Sequence, residues 1–379
     1  MKSIFLCICL LFLSDACFAQ TLKGTVLDAD TDEPIVNANI YLNGTTIGNV
    51  SDGSGKYEIV VRDRIHTQLV VRYVGYETVI IETPFDDLPE IIYLKEKKFG
   101  VGEVTVKGKA TFSEKQKMKA FKEQFLGVTM ASEGCRILNE KDIRLVYDVE
   151  TNKLHAYSDV PIEINNGYLG YKILWELMDF TLVLNDKKSL SAHNIDSVSI
   201  VGTASFEDTG GNKYTYLNRR EKVYYYSKNR FFSLLANKLL KENKENVFLF
   251  NNTPKISDLE NADPCYPGEW FTVKTEDYNT KELTINPKKI DSEGIASMIV
   301  VVAEKKGDQA TVNERASMMY KETLQRYASS AVSRVYIGTD RFNVDTYGNT
   351  DMVKELFVTG TFGFNRAADQ LPLDYVPIR

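Results

Sequence analysis

Three histidines, His66, His155 and His193, and five cysteines are the chain's only imidazoles and thiols, and none falls in a spacing that zinc or thiol chemistry uses. There is no His-Glu-x-x-His, Gly-x-Ser-x-Gly, Gly-x-Gly-x-x-Gly, phosphate loop or Cys-x-x-Cys. Catalysis would need residues distant in sequence: Cys135 as a nucleophile with His155 or His193 as its base, or an acid pair such as Glu163 with Asp179. Asp28, Asp30 and Asp32 at every second position invite a calcium reading. However, Glu33 stands where an EF-hand loop has its glycine and Asn39 where it has its bidentate acid, so a solvated acidic loop is expected. No cofactor motif occurs, and neither metal nor cofactor is expected. The remaining candidate is a binding site: Arg219, Arg220, Lys222, Lys228 and Arg230 form a basic row suited to an anionic lipid head group or glycan. The other reading of that row is a solvated face balanced by Glu221, Glu242 and Glu245.

The elements that must position these residues begin with an export signal. Lys2, the apolar run Ile4 to Leu13 and Cys17-Phe18-Ala19 follow the three-part pattern of a secretory signal peptide, with cleavage expected after Ala19. The alternative, Cys17 as a lipidated cysteine, is met poorly by Ser14-Asp15-Ala16. The apolar run is too short to span a bilayer and no later stretch approaches the length a membrane helix needs. Cys7, Cys9 and Cys17 leave with the signal. The remaining pair, Cys135 and Cys265, makes one disulfide in an oxidising envelope or stays as two buried thiols. With 26% charged and 43% hydrophobic residues over 379 positions, the chain must bury cores, and its length suits two domains. The net charge of -6 lies in the first of them, since Thr21 to Lys97 holds 13 acidic and 7 basic residues. An acidic first domain and a neutral second one argue against nucleic acid.

From residue 20 to 109 short Val-, Ile-, Tyr- and Thr-rich segments alternate with Gly, Pro, Asn and Asp clusters every eight to twelve positions, which predicts an all-β sandwich of about seven strands. Leu22, Gly24 and Val26 alternate with polar neighbours, as do Ala38, Ile40 and Leu42. Further strands are expected at Tyr57 to Val61, Gln68 to Tyr73, Glu77 to Ile81 and Glu90 to Leu94. Asp52-Gly53-Ser54-Gly55 predicts a hairpin, and Gly75 a second tight reversal.

Gly24 to Asp28, Pro34-Ile35, Ala38-Asn39-Ile40, Gly44-Thr45-Thr46, Ser51-Asp52, Gly55-Lys56-Tyr57 and Val74-Gly75-Tyr76 together resemble the carboxypeptidase-regulatory-like domain. That is a prealbumin-like sandwich common in Bacteroidetes envelope proteins. The resemblance implies architecture and no activity, because the same module precedes transporters, peptidases and proteins of unknown activity. Gly102 to Gly108 looks like the segment that follows this module in TonB-dependent transporters, yet the residues beyond it are too few for a twenty-two-stranded barrel. A zinc carboxypeptidase needs two histidines and a glutamate, and no His-x-x-Glu pair occurs.

Residues 110–379 predict a larger α+β domain. Ser113 followed by Gln116 caps a helix with Met118, Phe121 and Phe125 on one stripe, stopped at Gly127. Ile143 to Val149 and Lys153 to Ser158 predict a hairpin, with His155 and Tyr157 on one face. Tyr168 to Leu177 predicts a strand, although Ile173 to Phe180 also fits a helix. Lys213 to Lys241 is the longest helical candidate, and Leu283 to Ala303, Asn313 to Ala328 and Phe342 to Thr361 suggest alternating helix and strand. Phe125-Leu126-Gly127, Pro161 to Asn165, Arg219-Arg220 and Arg366 to Tyr375 resemble, more loosely, the body of exported Bacteroidetes proteins that carry the regulatory-like module, a family with no activity to transfer. The expectation is a non-catalytic protein of a Gram-negative cell envelope, in the periplasm or at the outer membrane or cell surface. Its sandwich would be an adhesion or spacer module, and its partner an envelope protein, glycan or transporter. The rivals are an envelope hydrolase with a site in the second domain and an accessory of a TonB-dependent transporter.

Overall fold

The computed structural model describes residues 19–97, 112–243, 246–250, 271–276, 280–285, 297–303, 331–351, 356–360, 362 and 366–378. The signal peptide, Cys265, the Gly102 to Gly108 segment and the helix expected at Asn313 to Ala328 lie outside these residues.

The N-terminal strands are β1 (Gln20–Asp28), β2 (Asn39–Leu42), β3 (Gly48–Val50), β4 (Lys56–Val61), β5 (Leu69–Arg72), β6 (Val79–Ile81) and β7 (Ile91–Leu94). They form two sheets, β4-β1-β7 and β3-β2-β5-β6, consistent with the expected sandwich. Alternation decides which side chains enter it: Tyr57, Ile59 and Val61 of β4 point inward to meet Leu22, Val26, Ile40, Leu42, Leu69 and Val71, while Lys56, Glu58 and Val60 face solvent. The Asp52 to Gly55 turn is not the expected hairpin. It joins β3 to β4, which lie in different sheets, and the Asp52 carboxylate closes it by accepting from the backbone N–H of Ser54 and Lys56. Gly75, at φ +87°, does turn the chain between the paired strands β5 and β6.

Next come helices α1 (Glu114–Phe125) and α2 (Met130–Glu133), then β8 (Cys135–Ile137), β9 (Ile143–Asp148), β10 (Lys153–Ser158), β11 (Ile162–Asn166), β12 (Tyr171–Leu184) and β13 (Ile195–Asp208). Ser113 and Gln116 form the reciprocal capping box, and Gly127 takes φ +96° just beyond the helix. The buried stripe of α1 sets Phe121 edge-to-face against Phe180 and Phe125 against Trp175, with ring centroids 4.8 and 5.4 Å apart. Each such phenylalanine contributes about 2 kcal/mol of burial. The sheet is built on the long β12–β13 ribbon, with β11 and β10 sharing the other edge of β12 at successive positions and β8 and β9 outside them. A bulge at Leu177/Asp179 reverses the parity of β12, so Tyr171, Ile173 and Trp175 are buried before it and Phe180, Leu182 and Leu184 after it. That reversal put Ile173, Leu177 and Phe180 at helical spacing in the sequence; the chain there is strand throughout.

Two helices follow, α3 (Tyr214–Tyr225) and α4 (Lys228–Ala236), in place of the single one expected from Lys213 to Lys241. Ser227 breaks them apart: its hydroxyl donates to the Tyr224 carbonyl and accepts from the Arg230 N–H, capping α4. Beyond them the described elements are strands and one short 3-10 helix, Ala367–Asp369, and the Asn313 to Ala328 part of the expected alternation lies outside the described residues. The strands are β14 (Asn246–Phe250), β15 (Phe271–Thr275), β16 (Lys281–Ile285), β17 (Ser297–Ala303), β18 (Ala331–Ile337), β19 (Arg341–Val344) and β20 (Leu356–Gly360), in sheets β14-β17-β18-β20 and β15-β16-β19. Val- and Ile-rich runs such as Met298 to Val302 favour the extended chain. Phe231, Phe232 and Leu235 of α4 pack into a core with Leu283, Ile285, Val335 and Phe342.

The sandwich is sewn to the rest. Gly44 N–H donates to the Ala204 carbonyl, Phe206 N–H to the Thr45 carbonyl, and the Tyr41 hydroxyl meets the Thr203 hydroxyl at 3.0 Å. Glu176 accepts from Thr78 and pairs with Arg72 at 3.5 Å. Residues 366–378 run as a strap over the junction. Leu373 N–H donates to the Gly44 carbonyl, Asp374 accepts from Thr46, Asn349 donates to the Leu373 carbonyl, and Tyr375 donates to Glu221.

Candidate functional site

Where the sandwich, the β12–β13 ribbon, the start of α4, the β19 turn and the strap meet, they leave a cavity of about 450 Å3. Asn43 and Gly44 reach it from the sandwich, Trp175, Ala204 and Phe206 from the ribbon, Val223 to Asn229 from the helices, and Asp369 to Tyr375 from the strap. Tyr347, Val358 and Phe362 complete the wall. The wall mixes apolar and aromatic side chains with the polar groups of Asn43, Ser227, Asn229 and Gln370, and a concave site of this size suits a small molecule.

Lys228 and Asp369 are the two charged residues on this wall. Lys228 is the first residue of α4, placed there by the Ser227 cap. Its side chain is exposed to solvent, and among the described residues it has no carboxylate partner. Asp369 is buried on the strap; desolvation pushes its carboxyl up to about 7, against a hydrogen bond from the Thr129 hydroxyl that favours the charged form. Tyr224 and Tyr375 are raised by desolvation and therefore neutral at ordinary pH. The indole N–H of Trp175 is buried without an acceptor beside Gly202, which also borders the cavity.

A second cavity of about 530 Å3 lies along β2, β3 and the same stretch of the ribbon, at Leu174, Glu176 and Ser205 to Glu207. Its Arg72 and Glu176 neutralise each other across the seam, which leaves it less chemically defined.

The basic row does not form one surface. Arg220 is 3% exposed, donates to Asp208 and to the carbonyls of Leu169 and Gly170, and lies 4.0 Å above the Tyr171 ring. Its guanidinium holds the Asp208 carboxyl below the usual range. Arg219 donates to the Tyr168 carbonyl and sits 4.5 Å over that ring, and Arg230 covers the Tyr225 ring at 4.4 Å. Lys222 is exposed on α3, so only Lys228 of the five reaches the cavity. The break at Ser227, which no periodicity announced, separates these roles. Asp369 stood in a string noted for resemblance alone; its burial by Thr129, 240 positions away, has no local signal.

The distant catalytic combinations are not assembled. Cys135 pairs with Asn166 at the Tyr171 end of β12, and His155 opposes Thr181 ten residues along, about 30 Å away by strand rise. His193 lies past the far end of the same ribbon. Burial pushes the Cys135 thiol up to about 12, with Asp369 adding to it. Glu163 pairs with Lys172, while Asp179 accepts from Thr181 about 15 Å further along β12. His155 meets Thr181 and stacks near Tyr157 on one face of the hairpin, as the alternation implied. Asp28 is occupied by the N–H groups of Asp30 and Thr31 and by the Tyr76 hydroxyl, which hold its carboxyl down at about 2; it closes a turn, not a calcium loop.

Residues 22–106 match the family model of the CarboxypepD_reg-like domain, which defines the class of the N-terminal module. Within that region, 69 residues are 38% identical to the TonB-dependent receptor SusC of Bacteroides thetaiotaomicron, covering 18% of this chain and 7% of the receptor. The chain thus spans less than a tenth of the length of that relative. A solved structure, a 9R-lipoxygenase from Cyanothece PCC8801, aligns over 57% of this chain and 48% of its own at 12% identity and a TM-score of 0.16; a likeness of that size carries no argument. Among the described residues no helix is long and apolar enough to cross a membrane.

Proposed function

We propose that this chain is a non-catalytic ligand-binding protein of a bacterial cell envelope. In this reading the regulatory-like sandwich is an accessory module built into the binding site, and the ligand is a small molecule or a short portion of an envelope component. The observation that supports it is the junction cavity, whose wall draws residues from the sandwich, both parts of the body and the strap together. A module attached only as a spacer would not contribute Asn43 and Gly44 to that wall. Separation of the candidate nucleophile and bases along β12 counts against hydrolysis. Titration calorimetry of the purified protein against glycan fragments and envelope extracts tests the reading. Saturable binding without turnover, lost on filling the cavity with Ala204→Trp, is the expected result. Hydrolysis of any cell-wall or dietary polymer, abolished by one substitution in the body, would overturn it.

Likeness of the N-terminal module to part of SusC favours a second reading, an accessory that works beside a TonB-dependent transporter at the outer membrane. Affinity purification from envelope membranes would recover a receptor with the chain on that reading, and the chain alone on the first.

A further inference from the structure

We propose that the outer edge of β13 is a self-association site, at which a second copy of this chain pairs antiparallel through Ser197 to Val201. Among the described residues β13 has a neighbouring strand, β12, along one side only. On its other side the last residues already serve as a pairing edge for the sandwich. Gly44 N–H donates to the Ala204 carbonyl, Phe206 N–H donates to the Thr45 carbonyl, and Thr45 forms a parallel bridge with Ser205. Those bonds show that the even-numbered residues here turn their N–H and C=O groups away from β12. Alternation carries that direction back along the strand, which runs without interruption from Asp208 to Ser197. Ile200 and Val198 therefore present the same groups outward, with no strand among the described residues to take them. A second copy would extend a ladder that the sandwich begins.

The composition of this edge selects the occupant. Protected edges carry lysine, proline or inward-pointing charge. The opposite edge of the same sheet follows that rule, with Arg144 on β9 and the Lys117 ammonium donating to the Leu145 carbonyl. Ser197 to Phe206 contains neither charge nor proline. Its exposed side chains are Ser197, Ser199 and Val201, all small or β-branched, while Val198 and Ile200 pack against the core. A foreign strand would meet no charge or large side chain here that could choose it, whereas an identical strand is matched by symmetry. A two-fold axis through Ser199 makes the segment its own complement. Val198 then exchanges backbone bonds with Ile200 of the second copy, Ser199 faces Ser199 of the second copy, and Asp196 falls opposite Gly202, so no like charges meet. The bulge at Asp196, where Ile195 and Ser197 oppose successive residues of β12, ends the ladder before it reaches Ala204, where the sandwich already sits. A ladder this short makes a weak dimer whose population follows concentration.

Sedimentation equilibrium of the purified protein at low salt, from micromolar to millimolar concentration, tests the proposal. A monomer–dimer equilibrium is expected. Ser199→Lys sets two ammonium groups against each other across the axis and Ser199→Asp sets two carboxylates, and each should weaken dimerisation about fivefold. Mixing the two variants should restore association as a heterodimer, because a lysine then faces an aspartate. Ser199 is exposed, so both variants should unfold at the wild-type temperature, and recovery on mixing certifies their fold independently. A protein that stays monomeric throughout the range overturns the proposal and leaves the edge to a foreign strand. A dimer that both substitutions leave intact, or that mixing does not restore, places the contact on another face and overturns it as well.

Discussion

Helices α3 and α4 follow one another, and each carries a cation that sequence placed in the same basic row, yet the two cations have opposite surroundings. Arg220 on α3 is enclosed by Asp208, two carbonyls and the Tyr171 ring, and all three of its nitrogens donate hydrogen bonds. Lys228 on α4 faces a cavity and has no such partners. A satisfied buried cation locks elements together; an exposed one keeps its water and holds no element in place.

The contrast breaks most easily at its satisfied end. Arg220→Met should cost about 3 kcal/mol of unfolding free energy, because it leaves the Leu169 carbonyl without a donor and Asp208 without its cation, while Lys228→Met should cost less than about 0.5 kcal/mol. Denaturant titration of the pair decides, and equal losses would make Lys228 another structural residue. Gly348 comes next: it sits at φ +84° with an added Cβ only 1.9 Å from the Asn229 carbonyl, so it lets the β19 turn close on the start of α4. Gly348→Ala is expected to lose about 2 kcal/mol and to lower the unfolding temperature, whereas an unchanged transition would mean that this contact does not fix the cavity wall.

Asp369 sharpens the comparison through pH. Its folded carboxyl is raised, so between about pH 4 and pH 7 the native state keeps a proton that the unfolded chain has released, and stability from this group falls as pH rises through that window. Asp369→Asn should remove the slope and gain about 1–3 kcal/mol over wild type at pH 8, with little gain at pH 4. Melting curves that stay parallel across that range would contradict the assignment. The smallest effect is kinetic. Cys135, its thiol raised to about 12, should react with iodoacetamide at pH 8 at least about tenfold more slowly in the native protein than in urea, as followed by peptide mass spectrometry at that residue.

Local rules carried the N-terminal module almost entirely. Strands β1, β2 and β4 to β7 fall where alternation and turn residues put them, the three-residue β3 had no such signal, and the α1 capping box is visible as Ser113 and Gln116. They failed where one residue changed the periodicity. Met178 in the β12 bulge disguised a strand as a helix, and Ser227 divided a helix that hydropathy read as continuous. The cavity was illegible for a different reason: Asn43, Trp175, Lys228 and Leu373 meet only through tertiary packing, and no spacing between them encodes that meeting. The catalytic pairs entertained from sequence were undone by sheet order, which sets β11, with β8 outside it, and β10 against opposite ends of β12.

The strap has a temporal side. Thr46 and Asp374 are 328 positions apart, so during synthesis at about 5–20 residues per second the first waits roughly 15–65 s for its partner to be made. Until then the Gly44 corner of the sandwich lacks a lid, and any nascent intermediate displays that apolar corner to whatever escorts it. A holding chaperone would find its foothold there, and arrival of residues 366–378 would be the event that dismisses it.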